Sequence, residues 1–199
     1  MPLNYDARMT LPMVLTVSRL ALAPVFFLLF ELAIHGSPWF LAGVCLVFAL
    51  IEVSDLLDGH AARTLGQESE LGKVLDPFAD SLSRLTYFIA FAGAGILPLW
   101  ILLILVYRDI TVAYIRVMVS RANVLMPARV SGKIKAWVYA FAGIGGIVDF
   151  SLGRLGWIPG SQGTVHGGAL VLFLCAAAVA TWSLADYGVF FWKNFRKSS

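Results

Sequence analysis

The sequence predicts an all-α integral membrane protein with six transmembrane helices, and three observations carry that prediction. Hydrophobic residues make up 59% of the 199-residue chain and charged residues only 14%, where a soluble domain carries roughly 25%. Six apolar tracts of the about 20 residues needed to cross a bilayer begin near Leu11, Pro38, Asp76, Pro98, Lys133 and His166. Lys and Arg gather at alternate ends of these tracts, the asymmetry that orients a multi-pass chain.

Each element has its own justification. Residues 1–10 are polar and short, an interfacial lead-in. The first helix is expected from Leu11 to Ile34. Arg8 ahead of an apolar run resembles the start of a signal peptide. The run is too long, contains Arg19 and lacks a small-residue cleavage site, so a retained helix is expected. Pro38 and Trp39 mark the boundary before the second helix, which ends with Ile51 to Gly59. A polar connection from Thr64 to Lys73 leads to a third helix beginning at Asp76-Pro77, since proline in a first turn lacks only an N–H that would be unpaired there. That helix runs to about Ile96. The fourth carries Arg108 and Asp109 inside its span. Gly143, Gly145 and Gly146 in the fifth and Ala176 to Ala180 in the sixth are packing residues between membrane helices. Cys45 and Cys175 are expected as small buried hydrophobes, and Glu31, Glu52, Asp149 and Asp186 as solvated or interfacial groups. One bundle domain accounts for residues 1–199.

The turns around 34–38 and 96–98 contain no Lys or Arg, and residues 151–166 only Arg154. The other face collects Arg8, Arg63, Lys73, Arg116, Arg121, Arg129, Lys133, Lys135, Lys193, Arg196 and Lys197. Both termini are therefore expected on the cytoplasmic side of the cell inner membrane. These cations face membrane lipids, and no nucleic-acid partner is expected.

Chemistry concentrates between Glu52 and Asp80, where seven acidic and two basic residues give a local balance of −5 in a chain of net charge +3. Residues three or four apart share a helix face, so Asp55 and Asp58 project together from the second helix, and Asp76 and Asp80 from the third. The intervening connection is short enough to make the two helices antiparallel neighbours, so both pairs are expected to converge on one pocket. Four close carboxylates need compensation. Oxygen donors without His or Cys select Mg²⁺, Mn²⁺ or Ca²⁺, and two ions held roughly 3.5–4 Å apart would clamp a phosphate. Gly59 and Gly72 leave room for a phosphate or a flat base beside the backbone. Arg63 suits phosphate oxygens bidentately, and Ser69 offers a hydroxyl. His60 is a bystander. Salt bridges to Arg63, Lys73 and Arg84 alone would explain two of the carboxylates but not four.

At these residues the sequence resembles the CDP-alcohol phosphotransferase family, whose signature D-x2-D-G-x2-A-R-x8-G-x3-D-x3-D is met by Asp55, Asp58, Gly59, Ala62, Arg63, Gly72, Asp76 and Asp80. The resemblance implies that family's six-helix fold. It also implies transfer of a substituted phosphate from a CDP-linked donor to an alcohol with release of CMP. Asp55, Asp58 and Asp76 would hold one or two Mg²⁺ or Mn²⁺ ions, with Asp80 as shared ligand and general base. Gly59, Ala62, Arg63, Ser69 and Gly72 would border the CDP moiety, and a homodimer is implied.

Leu15-Thr16-Val17-Ser18-Arg19 through Pro24 resembles a stretch of bacterial phosphatidylglycerophosphate synthases. So do Arg108-Asp109-Ile110, Arg116, and Ser131-Gly132-Lys133-Ile134-Lys135. That likeness implies CDP-diacylglycerol as donor and sn-glycerol 3-phosphate as acceptor, with Arg108, Arg116, Lys133 and Lys135 on the acceptor phosphate. Arg121 and Arg129 read instead as membrane-surface anchors. Ser81 stands where many such enzymes carry Lys, with Arg84 one turn further on. Ala136 and Tyr139 stand where Thr and Gln are common. Another acceptor, such as an inositol phosphate, is the alternative. A cation transporter is the reading from a different class; its carboxylates would lie near the bilayer midplane, whereas these cluster at one face.

Overall fold

The computed structural model describes residues 11–65, 70–121, 129–156 and 162–195. Six helices follow in chain order: α1 Leu11–His35, α2 Trp39–Leu65, α3 Glu70–Gly93, α4 Leu99–Arg121, α5 Val130–Leu155 and α6 Gln162–Phe195. No strand occurs among the described residues. The shortest, α4 at 23 residues, is about 35 Å long at 1.5 Å per residue, enough for a hydrocarbon core of about 30 Å. By length and composition together, three stretches are apolar enough to cross a membrane: Met13–His35, Val130–Leu155 and Gly163–Lys193. Helices α2, α3 and α4 are long enough, but each carries ionised residues toward the same end of the bundle.

The packing is that of a bundle whose solvent is lipid. Leu28, Leu46, Leu103, Ile110 and Val171 face outward and are about half exposed or more, while Arg19, Arg84, Arg108, Asp109 and Lys135 are buried. Charges placed inside and aliphatic side chains outside invert the soluble pattern, as expected where polar groups must face the bundle interior. Cys175 follows the same rule: it is exposed, not buried as expected, while Cys45 is half-buried.

An aromatic core joins five of the helices, and Ile101 and Leu105 of α4 pack into the same cluster. Phe26 and Phe30 of α1, Phe48 of α2, Tyr87, Phe88 and Phe91 of α3, Phe150 of α5 and Phe173 of α6 form one buried cluster. Phe30 stacks on Phe150 at 4.1 Å between ring centroids. The small residues of α5 admit these rings: a Cβ on Gly146 would lie 2.4 Å from a Phe91 ring carbon, and one on Gly143 3.1 Å from Tyr87 and Phe48.

Several boundaries differ from expectation. Helix α2 does not end at Gly59 but continues to Leu65, and α3 starts at Glu70 rather than at Asp76. Pro77 therefore sits inside α3, where it removes one backbone hydrogen bond; membrane helices tolerate such a loss when neighbouring groups satisfy the freed carbonyl. The far end of α3 stops at Gly93 instead of Ile96. Its chain reverses through Gly95 at φ 74°, with the Ile96 amide donating to Phe91 O at 2.9 Å. Helix α5 starts at Val130, so Ser131 to Lys135 lie in its first two turns. The lead-in residues 1–10 fall outside the described residues.

Helices α2 and α3 were expected to pack directly against each other. Instead α1 lies against both, and its contacts with α2 and α3 are far more extensive than theirs with one another. The spacing of the aspartates could not show this, because nothing in their own segment records what inserts between them. The separation brings side chains of α1 into the acidic cluster.

Candidate active site

The N-terminal parts of α1, α3 and α5 and the C-terminal parts of α2, α4 and α6 are linked by side-chain contacts toward one end of the bundle. Two linked polar networks occupy that end.

The first network is acidic. Asp55 on α2 receives Arg19 NH1 at 2.6 Å on one oxygen and Arg84 NH2 at 2.7 Å on the other. Arg84 Nε donates to Asp80 Oδ1 at 2.5 Å, one turn back on α3. Thr16 donates to Asp76 Oδ1 at 2.6 Å, and Arg19 NH2 lies 3.8 Å from the same carboxylate. Two buried guanidiniums from α1 and α3 thus join carboxylates of two other turns. Neither Arg19 nor Thr16 was singled out for the site; the only signal was their place in the Leu-Thr-x2-Arg stretch. Glu52 was expected in solvent but is largely buried, 3.9 Å from Arg84 NH2, and accepts a hydrogen bond from Tyr87 Oη at 3.3 Å.

Salt bridging by Arg84 is therefore real and reaches Asp55 and Asp80. Among the described residues no three His, Cys, Asp or Glu side chains converge closely enough to hold an ion, because guanidiniums sit between the carboxylates. Asp76 and Asp80 each keep one oxygen without a partner among the described residues. The side chains of Asp58, Ala62 and Arg63, and the surroundings of Gly59 and Gly72, lie outside the described residues, although α2 and α3 place those positions on helix. Ser69 lies outside altogether.

The second network is cationic and spans α4, α5 and α6. Asp109, fully buried, receives Arg108 NH1 at 2.8 Å and Lys135 Nζ at 3.0 Å. Arg108 NH2 donates to Ser183 Oγ at 2.7 Å. Arg116 donates to Tyr187 Oη at 2.9 Å, and the guanidiniums of Arg108, Arg116 and Arg129 all lie within 6.0 Å of the Tyr187 ring centroid. Asp186 was expected at an interface and Arg129 as a surface anchor. They pair with each other, and Ser131 Oγ donates to Asp186 at 2.6 Å. Lys133 is exposed. Of the four cations expected on an acceptor phosphate, Arg108 and Lys135 are thus engaged in buried ion pairs, while Arg116 and Lys133 reach the surface.

The two networks touch. Arg84 NH1 donates to the carbonyl of Ala136 on α5 at 2.6 Å, and Lys135 lies within electrostatic reach of Asp80. A cavity of about 560 Å³ at the other end of the bundle, lined by Asp149, Arg154 and His166 among others, contains none of the expected site residues.

A helical bundle with carboxylates tied by buried arginines beside a cluster of cations, built from helices apolar enough to cross a membrane, has the form of a membrane enzyme's polar end. The chain belongs to the CDP-alcohol phosphatidyltransferase family, whose model matches residues 9–182. It is 41% identical over 104 residues to "Cardiolipin synthase (CMP-forming)" of Streptomyces coelicolor, across 52% of this chain and 48% of that protein. Over 146 residues it is 31% identical to "CDP-diacylglycerol--glycerol-3-phosphate 3-phosphatidyltransferase" of Treponema pallidum, across 69% of this chain and 65% of that one. Identity to "Probable phosphatidylglycerophosphate synthase" of Mycobacterium tuberculosis is 33% over 175 residues, across 87% and 78% of the two chains. The matched stretch thus spans about half of the Streptomyces protein.

Proposed function

We propose that this protein transfers a phosphatidyl group from CDP-diacylglycerol to sn-glycerol 3-phosphate, giving phosphatidylglycerophosphate and CMP in phospholipid biosynthesis. The observation that supports this most is the joining of Asp55, Asp76 and Asp80 from α2 and α3 by Arg19 and Arg84, at the same end of the bundle as the cations of α4 and α5. Positive charge collects at that end as well, which supports a site facing the cytoplasm from the inner membrane. Acyl chains would remain in lipid while the nucleotide reaches water.

The donors are all oxygen, the chemistry of a hard divalent cation such as Mg²⁺ or Mn²⁺, and Asp76 and Asp80 each keep one oxygen without a partner among the described residues. Asp55, Asp58, Asp76 and Asp80 would hold one or two such ions, whose contribution when bound is to neutralise diphosphate charge. The chain's own part follows from its groups. The acceptor hydroxyl oxygen bonds to the phosphatidyl phosphorus as the bond from that phosphorus to CMP's phosphate oxygen breaks. Asp80 takes the hydroxyl proton. Arg63 meets the charge that moves onto the departing CMP, as a positioned cation does for a developing anion. Gly59, Ala62, Ser69 and Gly72 border the nucleotide, and Arg108, Arg116, Lys133 and Lys135 receive the acceptor phosphate. The working unit is a homodimer.

A second acceptor reading, a phosphatidylglycerol-type lipid alcohol, is favoured by the relative named as a cardiolipin synthase. The test is CMP release by purified protein given CDP-diacylglycerol, Mg²⁺ or Mn²⁺, and a panel of glycerol 3-phosphate, phosphatidylglycerol and inositol phosphate. The expected result is turnover with glycerol 3-phosphate, lost in Asp80→Asn without loss of the folded bundle. Turnover with phosphatidylglycerol or inositol phosphate alone would replace the acceptor, and an active Asp80→Asn would remove the base.

A further inference from the structure

Arg84 joins carboxylates of the site, but the reaction steps above give it no part. It is 3% exposed, and each of its three guanidinium nitrogens has a different partner: Nε donates to Asp80, NH2 to Asp55 and NH1 to the Ala136 carbonyl. It therefore ties α3 to α2 and to α5 at once. Behind it, Glu52 lies 3.9 Å from NH2 and is itself held by Tyr87, which packs in the aromatic core. A guanidinium is rigid and planar, so three bonds in three directions fix both its position and the rotamers of the carboxylates it meets.

We propose that Arg84, anchored by Glu52 and Tyr87, is a positioning residue that sets the proton-accepting carboxylate of Asp80 in register with the acceptor-carrying helix α5. The proposal rests on the reading that Asp80 takes the acceptor proton. Its physical content is a distance constraint. Lys133 and Lys135 lie within the one turn of α5 that precedes the carbonyl Arg84 grips, so the acceptor's cations and the base are held to one another through a single side chain. Two reacting groups in a fixed relation gain most of their rate from orientation, and a displacement of about 1 Å is enough to lose on the order of 100-fold.

That constraint predicts a partition, not only a loss. With the acceptor out of register, water attacks the phosphatidyl phosphorus in its place: its oxygen bonds to phosphorus, the bond to CMP breaks, and phosphatidate and CMP leave. Glu52 adds negative charge behind Arg84 without contacting Asp80, so its removal loosens the anchor and leaves the base intact.

The experiment measures CMP release, phosphatidate and transfer product together, in detergent, for wild type, Arg84→Ala, Arg84→Lys and Glu52→Gln. Arg84→Ala is expected to lose transfer by about 100-fold and CMP release by much less, so that phosphatidate becomes the main product. Donor KM stays within about twofold, the span of a few tenths of a kcal/mol. Arg84→Lys, which reaches one partner only, recovers part of the transfer. Where Arg84→Ala does not give a monodisperse protein, Glu52→Gln carries the test and should shift the partition in the same direction by a smaller factor. Transfer and hydrolysis falling in equal proportion, or a wild-type partition in the folded variants, overturns the proposal. Wild type that releases no CMP with any alcohol instead removes the functional reading, and the proposal with it.

Discussion

Replacing Asp109 by Asn tests whether the cationic network is held by charge. The Asp109 side chain is 1% exposed, and its two partners, Arg108 and Lys135, are 6% and 5% exposed. The amide keeps the shape and one acceptor oxygen, so what disappears is the negative charge between two buried cations. Removing one partner of a buried pair costs about 3–5 kcal/mol, because the other charge stays behind uncompensated. Ser183 still accepts from Arg108, and the Tyr139 ring still faces Lys135 at 4.4 Å, which argues for the lower half of that range. At about 2–4 °C per kcal/mol for a chain of this size, melting should fall by roughly 6–16 °C. The six tryptophans allow the transition to be followed by intrinsic fluorescence in detergent. Adding Lys135→Gln to Asp109→Asn removes one of the stranded cations, so the double variant should melt above Asp109→Asn alone. A melting point for Asp109→Asn within about 2 °C of wild type, less than 1 kcal/mol, would refute the reasoning; so would a double variant that loses the sum of the two singles.

Gly146→Ala should destabilise by about 1–3 kcal/mol through overpacking, since its new Cβ would fall 2.4 Å from Phe91, whereas Gly153→Ala, with nothing within 4 Å, should melt like wild type. Arg19→Ala removes the guanidinium joining Asp55 to Asp76; turnover should drop by on the order of 100-fold, the scale of losing one positioned donor, measured as CMP release. Thr16→Ala removes the hydrogen bond to the Asp76 carboxylate and should cost about 1.5–3 kcal/mol by the same melting assay. Arg116→Ala and Lys133→Ala, at exposed positions, should raise the acceptor KM a few-fold, as rim charges of about 0.2–1 kcal/mol do, and leave the donor KM alone. Equal effects on both KM values would assign these cations to membrane anchoring.

The helices were legible because apolar length is a local property: six tracts gave six helices, with ends off by several residues wherever polar sequence continues a helix past the membrane. Pro77 shows why the ends misled. Proline forbids little in the first turn, so its presence marked a start, yet α3 runs six residues ahead of Asp76. The acidic cluster was legible because four aspartates at helical spacing are costly in an apolar chain. What compensates them was not, since Arg19 and Arg84 are single residues in apolar tracts: Arg19 reaches Asp55 from α1, and Arg84 reaches it across from α3. Glu52 and Asp186 misled for the same reason. A carboxylate near a helix end reads as solvated until the helix that covers it is known.

The two networks also bear on which alcohol arrives. Around Tyr187 and Asp109 the described residues place four cations, Arg108, Arg116, Arg129 and Lys135, against two carboxylates, Asp109 and Asp186, and Lys133 lies exposed in the first turn of α5. A phosphomonoester carries close to two negative charges at neutral pH and exposes three acceptor oxygens; a lipid phosphodiester carries one charge and presents two free oxygens. An excess of cations that reaches the surface through Arg116 and Lys133 suits the former. Inorganic phosphate, which shares that chemistry and lacks any hydroxyl on carbon, should therefore inhibit competitively against glycerol 3-phosphate. An affinity of even about 1 mM, −4.1 kcal/mol, would be plain at about 10 mM phosphate, with sodium chloride of equal ionic strength as the control for screening. Arg116→Ala should weaken that inhibition. Phosphate that fails to compete beyond the salt control would mean that the cations serve a lipid phosphodiester or the bundle itself, and the acceptor would have to be sought among membrane alcohols.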